Sequence, residues 1–220
     1  MSCLLCGQSI KNDLTFRSLL LLKNKENNVC VDCLSGFEKI SEEHCPNCMK
    51  TGVSAKCQDC QYWCKEGIVV NHSAIFTYNQ AMKEFFSRYK FDGDFLIRKI
   101  FARFLAEELK KFKEYQFVVI PLSPERFIDR GFNQVEGLVD AAGYSYQNIL
   151  GKREEKASSS KNRLERLTTE LPFFIKNGVS MPKKILLIDD IYTTGSTINR
   201  VKIMLEAAGA EDVKTFSLAR

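Results

Sequence analysis

The sequence predicts an α/β protein, a mainly parallel β-sheet flanked by helices, preceded by a small cysteine-rich, metal-binding region. Three observations predict it. All nine cysteines lie before residue 65, and eight of them form four Cys-x-x-Cys pairs. From about residue 66 onward, short apolar runs alternate with segments of helical period, the pattern of parallel strands joined by crossover helices. The clearest run, Ile185 to Ile188, leads into Asp189-Asp190 and then into a small hydroxylated loop, Thr193-Thr194-Gly195-Ser196-Thr197. Open sheets of this class bind ligands beyond the carboxyl ends of their strands.

The four pairs are Cys3/Cys6, Cys30/Cys33, Cys45/Cys48 and Cys57/Cys60; Cys64 stands apart. Two such pairs supply the four sulfurs of a tetrahedral structural Zn²⁺, so four pairs predict two zinc ions. The simplest pairing follows sequence order, with Cys3, Cys6, Cys30 and Cys33 in one site and Cys45, Cys48, Cys57 and Cys60 in the other. A crossed pairing, or Cys64 in place of Cys60, is the alternative. The first site spans a longer insert with an apolar run at Leu19 to Leu22. Disulfides are the competing use of these thiols. The Met-Ser-Cys start is no secretory signal, and no apolar run approaches the ~18 residues that span a bilayer. A cytoplasmic protein without membrane insertion is expected, and there clustered Cys-x-x-Cys means metal. With eight cysteines available, His44 and His72 are expected to be ordinary polar residues.

Length and cysteine distribution divide the chain into a metal-dependent region, residues 1–65, and an α/β domain, residues 66–220. In the second, residues 68–78 read as a strand or ribbon. Met82, Phe85, Phe86 and Tyr89 give a helix over 80–89. Ile97, Ile100, Phe101, Phe104, Leu105, Leu109 and Phe112 give a long amphipathic helix over 95–113. Phe117 to Ile120 is a buried strand stopped by Pro121. The stretch Pro121 to Gln134 reads as the following loop. Val135, Leu138, Val139 and Ala142 face inward on a helix over 134–142 that Gly143 closes. Residues 145–149 are a weak strand. Ser196 to Ala208 is a helix ended by Gly209, and Val213 to Leu218 is the last strand.

Function is read from the loops at one sheet edge. The strands ending at Ile120 and Ile188 should face their loops the same way. Arg126 and Arg130 then stand opposite the acidic pair, and guanidinium forks match phosphate oxygens. Backbone N–H groups and hydroxyls of Thr193 to Thr197 can face a phosphate at a helix N-terminus. Residues 151–169 are polar and rich in charge, either a solvated surface segment or a lid over an anionic ligand. Net charge is +5. Residues 1–65 hold eight Lys/Arg against seven Asp/Glu. Eight thiolates around two Zn²⁺ would bring that region to about −3, a poor grip on DNA and a better surface for a protein partner. Any DNA-binding surface is expected on the second domain, through the cations of 152–166 and Lys83, Arg88, Lys90, Arg98, Lys99 and Arg103.

The segment Ile185 to Thr197 resembles the phosphoribosyl-pyrophosphate (PRPP) signature of type I phosphoribosyltransferases. That resemblance implies a phosphoribosyltransferase-like fold. It makes Asp189 and Asp190 the catalytic pair on the ribose, often with Mg²⁺. Thr193, Thr194, Gly195, Ser196 and Thr197 would bind the 5′-phosphate, and Arg126 or Arg130 the pyrophosphate. Adding the Cys-x-x-Cys pairs, Tyr89-Lys90-Phe91-Asp92-Gly93-Asp94 and Arg130-Gly131-Phe132-Asn133-Gln134, in this order, the whole chain resembles the ComF family of competence proteins, and within it the ComFC members. The family resemblance implies a double zinc-ribbon-like module and a role in DNA uptake during transformation. It also implies single-stranded DNA binding and a ComFA-type, ATP-driven helicase/translocase as partner. The alternative is a working phosphoribosyltransferase with an unnamed acceptor, or a sensor that binds PRPP or a related sugar phosphate without turnover. Where relatives carry a Thr/Gln lid followed by Arg, this chain has Ala157-Ser158-Ser159-Ser160, with Arg163 and Arg166 after it.

Overall fold

The computed structural model describes residues 2–10, 28–154 and 172–220. A four-stranded, all-parallel sheet forms its centre. The order is β1 (His72–Phe76), β6 (Asp212–Ala219), β5 (Lys184–Ile191), β2 (Gln116–Val119). Leu187 of β5 sits opposite Val118 on one side and Thr215 on the other. The continuous apolar run 185–188 is what a central parallel strand, covered on both faces, demands. A two-stranded antiparallel ribbon, β3 (Leu150–Lys152) with β4 (Phe173–Ile175), lies apart from it. Gly151 is required in that ribbon, because a Cβ there would meet the Phe174 ring at 2.3 Å.

Helices α1 (Val31–Ser35) and α2 (Gln58–Lys65) belong to the cysteine-rich part. Beyond it come α3 (Gln80–Phe91), α4 (Ala102–Leu109), α5 (Pro124–Arg130), α6 (Gln134–Ala141) and α7 (Ser196–Ala207). Strand alternation splits the core in two. On one face Phe117, Val119, Leu186, Ile188, Phe216 and Leu218 meet the aromatic residues of α3, the 95–101 segment and Phe37. On the other, Val118, Ile120, Ile185, Leu187 and Val213 meet Ile198, Val201 and Leu205 of α7 together with Trp63 and four cysteines. Cysteine-rich residues therefore pack directly against the sheet on both faces.

Four expectations are corrected. The single helix over 95–113 is a 3₁₀ helix (Phe95–Phe101), then α4, then a 3₁₀ turn (Lys110–Phe112). Its buried residues change spacing: Ile97 and Ile100 are three apart, while Phe101, Leu105 and Leu109 are four apart, so the winding changes with them. The stretch 121–134 is not all loop. Ser123 caps α5 by accepting from the Arg126 N–H, Pro124 takes its first turn, and Gly131, at φ 77°, closes it. Residues 145–149 make one parallel bridge, Gln147 to Val118, and no strand. Strand β5 does not stop at the acidic pair; it runs on to Ile191 because β6 continues beside it, Asp189 opposite Ser217 and Ile191 opposite Ala219. The apolar run at 19–22 lies outside the described residues, as does the charged segment from residue 155 to 171.

Candidate functional site

The eight paired cysteines assemble into two groups, Cys3/Cys6/Cys30/Cys33 and Cys45/Cys48/Cys57/Cys60, with all sulfurs of a group within 4.8 Å of one another. This is the sequence-order pairing, and exposed Cys64 is in neither group. Nor are the histidines. His44 bonds its ring to the Cys45 carbonyl, and buried His72 to the Thr215 and Ser217 hydroxyls.

The two groups share one local architecture. Each begins with a tight knuckle closed by a backbone bond, Gly7 N–H to Cys3 O and Met49 N–H to Cys45 O. The residue after each second cysteine has a left-handed backbone, Gly7 at φ 75° and Met49 at φ 60°. Each knuckle is flanked by an antiparallel bridge, Ser2 to Ser9 and His44 to Thr51. Each group ends on a helix N-terminus, with Cys30 at the N-cap of α1, its sulfur accepting from the Cys33 N–H, and Cys57 at the N-cap position of α2 without a side-chain cap bond. The sulfur spacings fit one ion per group. A tetrahedron with Zn–S near 2.3 Å has sulfurs about 3.8 Å apart; Cys6 and Cys30 are 3.7 Å apart, Cys48 and Cys57 3.5 Å. Burial raises the Cys3 and Cys45 thiols, but backbone N–H donors outweigh it and hold both at about 6. Both groups can therefore hold a metal ion, and their all-sulfur set suits zinc.

Alternation along β5 sends the two aspartates to opposite faces of the sheet. Asp190 is buried on the aromatic face. There it accepts from Lys90 Nζ at 2.7 Å and from Gln134 Nε2 at 2.8 Å. Arg130 holds that arrangement in place, since Nε donates to the Lys90 carbonyl at 3.1 Å and Nη1 to the Gln134 side chain. Arg130 thus works inside a buried polar network, and Arg126 is the exposed guanidinium of the two. Asp189 is partly buried on the other face, and its Oδ1 accepts from the Asp190 N–H at 2.9 Å. Burial first, then the neighbouring Asp190 charge, raise its carboxyl to about 7. The pair does not present two carboxylates to one ion.

The hydroxylated loop is shaped from beneath. Arg220 Nη1 donates to the Thr193 carbonyl at 2.5 Å and to the Tyr192 carbonyl at 3.4 Å. Trp63 Nε1 donates to the Thr194 carbonyl at 2.8 Å. In a planar trans peptide, C=O and the next N–H point in opposite directions. Drawing the Thr193 and Thr194 carbonyls inward therefore turns the Thr194 and Gly195 N–H groups outward. They join the first-turn N–H groups of α7, of which the Ser196 N–H reaches the Thr194 hydroxyl at 3.4 Å, with the exposed Thr193, Thr194 and Thr197 around them. Gly195 is obligatory on two counts. Its φ is 78°, and a Cβ would lie 2.1 Å from the Tyr192 hydroxyl. The loop can hold a small anion through backbone donors.

Sequence reasoning did not find Trp63, Arg220, Gln134 or Lys90 in these roles. Trp63 carried one signal, being the single tryptophan and three residues after Cys60. Arg220 carried none, since its partners lie 27 and 172 residues away.

No protein-family model matches the chain. It is 75% identical over 220 residues to competence protein ComFC of Streptococcus pneumoniae, covering 100% of both chains. Identity to competence protein ComFC of Bacillus subtilis is 37% over 227 residues, 99% of this chain and 94% of that one. To competence protein F of Haemophilus influenzae it is 25% over 207 residues, 87% and 84%. Among solved structures, a hypoxanthine phosphoribosyltransferase from Trypanosoma cruzi in ternary substrates complex matches at 16% identity and TM-score 0.32, covering 57% of this chain and 66% of that one. A second structure of the Trypanosoma cruzi enzyme gives 14% and 0.31, over 60% and 67%. At those scores the structural likeness is too slight to argue from.

Proposed function

This chain belongs to the ComFC family of competence proteins, and we propose that it serves in natural transformation as a cytoplasmic factor whose sheet edge binds a sugar phosphate of the PRPP type. One observation carries the sugar-phosphate reading. The Thr193 and Thr194 carbonyls are tied inward, which turns the Thr194 and Gly195 amides outward beside exposed threonines at the start of a twelve-residue helix. A phosphate needs that donor set, and the helix dipole adds to it.

In this reading the two cysteine groups hold one zinc ion each. They act structurally, because all four positions on each ion are taken by sulfur and none is open to substrate. The geometry supports binding rather than turnover. Asp190 is ion-paired with Lys90 and hydrogen-bonded by Gln134, and Asp189 holds its proton up to about pH 7, so neither is a free carboxylate ready to steady a developing cation on the ribose. Mg²⁺, where present, would meet Asp189 alone of the pair. Single-stranded DNA and a ComFA-type helicase/translocase complete the proposal as partners.

Isothermal titration of zinc-loaded protein with PRPP tests the pocket. The wild type is expected to bind, and Gly195→Ala to bind at least tenfold more weakly, the effect of about two lost charge-assisted hydrogen bonds. Wild-type protein that gives no heat with PRPP or inorganic phosphate would remove the reading. A pull-down with the ComFA-type motor, and single-strand affinity measured from 50 to 200 mM salt, test the partners; affinity flat across that range sinks the DNA assignment.

A further inference from the structure

The second cysteine group and the hydroxylated loop are joined by two side chains. Arg220 is the first. Its side chain is 8% exposed. One arm holds the Thr193 and Tyr192 carbonyls, while the other reaches Cys48 Sγ at 3.3 Å and the Asp59 carboxylate at 3.3 Å. Its guanidinium also lies 4.8 Å from the centre of the Tyr192 ring. Trp63 is the second. It sits one turn after Cys60 on α2 and holds the next carbonyl, Thr194. Both tethers start from the same four-sulfur group, and both end on consecutive peptides of the loop.

We propose that Arg220 and Trp63 are positioning residues that make the anion loop an extension of the second metal site, so that the loop keeps its binding shape only while that site is intact. The inference rests on the sugar-phosphate reading for the identity of the anion, but not for the tether itself. A guanidinium fork suits the role, since its donors are fixed in one plane and can serve a sulfur and a carbonyl together. A metal-bound Cys48 presents a thiolate to Arg220. Without metal nothing holds the four sulfurs together, and Cys48 is then no longer fixed where one arm of Arg220 meets it while the other holds the loop. The first cysteine group makes no such contact among the described residues. Its knuckle is held instead from α3, by Arg88 donating to the Leu4 and Leu5 carbonyls. Coupling of this kind is reciprocal: an anion in the loop must steady the second metal ion by the factor by which the metal steadies the anion.

The chain has one tryptophan, so in zinc-loaded, full-length protein the Trp63 indole N–H is a single resonance. Its exchange with water reads the Thr194 tether directly. We expect Arg220→Lys to speed that exchange about fivefold, the effect of one hydrogen bond, and to weaken PRPP binding by a similar factor. Trp63→Phe should weaken PRPP binding likewise while two metal ions per chain are retained. Cys6→Ser, in the first group, should alter neither. Saturating PRPP should slow removal of the second metal ion by a chelator in the wild type and not in Trp63→Phe. Unchanged indole exchange in Arg220→Lys together with unchanged PRPP affinity in Trp63→Phe would overturn the coupling. If instead the wild type fails to bind PRPP while the indole still responds to Arg220→Lys, the tether stands and the sugar-phosphate reading falls.

Discussion

On one face of the sheet, the knuckle at Cys3–Cys6 and the helix at Cys30–Cys33 form a four-sulfur group able to hold a metal ion, with exposed Cys6 and half-buried Cys30 and Cys33; on the other, the matching knuckle at Cys45–Cys48 and helix at Cys57–Cys60 form a group with every cysteine buried. The backbone of the two modules repeats bond for bond, Cys3 N–H to Gln8 O and Cys45 N–H to Lys50 O. Their surroundings do not repeat. None of the first group's cysteines is a member of the aromatic core; Leu4, Leu5, Val29 and Leu34 touch its margin, and Phe37, just past α1, enters it. The four cysteines of the second are members of the core itself, beside Tyr192, Ile198 and Trp63. Cysteine spacing thus dictates the local module, while the residues around it decide whether the module is a surface attachment or part of the fold.

The largest expected effect tests that difference. A structural zinc site is worth about 10 kcal/mol or more in apparent terms, comparable with the whole stability of a domain. How much of it the sheet feels depends on coupling. Cys60→Ser should abolish the cooperative unfolding transition and the near-ultraviolet signal of Trp63. Cys6→Ser should release one metal ion and leave that transition near the wild-type midpoint. Metal analysis beside chemical denaturation checks both. Equal loss of stability in the two variants would break the comparison.

The two faces also part the aspartates, and the next effect follows from the buried one. Lys90 is 16% exposed and Asp190 9% exposed at the side chain, and Lys90 further lies 4.6 Å from the centre of the Phe86 ring. Removing one member of such a pair leaves the other charge buried and unpaired, which costs about 3 kcal/mol. Asp190→Asn should lose that much in urea denaturation, and Lys90→Met with Asp190→Asn should recover most of it. A double variant no more stable than the single would show that Gln134 and Arg130, not the charge pair, carry the network.

Strands β1, β2, β5 and β6, helices α3, α6 and α7, and the two cysteine groups were legible because each is set by local pattern: an apolar run, a 3.6-residue period, or a Cys-x-x-Cys spacing. Helix α5 was missed although Ser123-Pro124 and Arg130-Gly131 are ordinary start and stop signals, because its exposed Phe127 and Ile128 give no amphipathic period. The ribbon β3–β4 was missed because it is three residues long on each side. Within the site, the loop and the acidic pair were legible as motifs, but not their orientation. A two-residue period separates neighbouring side chains, and Asp189-Asp190 obeys it once β5 continues to Ile191. Arg220 and Trp63 reach the loop only through the tertiary fold, which no window along the chain records.

Asp189 gives the smallest effect and the finest test of the two faces. Its carboxyl titrates near 7 instead of 3.8, because burial and then the Asp190 charge disfavour the carboxylate. A group that holds its proton more tightly when folded contributes stability that is complete below about pH 4 and is lost as pH rises through 7. Asp189→Asn has no proton to release, and its side-chain oxygen can still accept from the Asp190 N–H. The stability difference between variant and wild type should therefore grow by about 1 kcal/mol or more, in favour of the variant, between pH 5 and 7, and stay level above pH 7.5. Acid effects on the cysteine groups and on His72 are common to both proteins and cancel in the difference. Denaturation curves at half-unit steps would show it. Two parallel pH profiles would mean that Asp189 is ionised throughout, and that the face shared with the second metal site is as polar at this strand end as the Lys90 face.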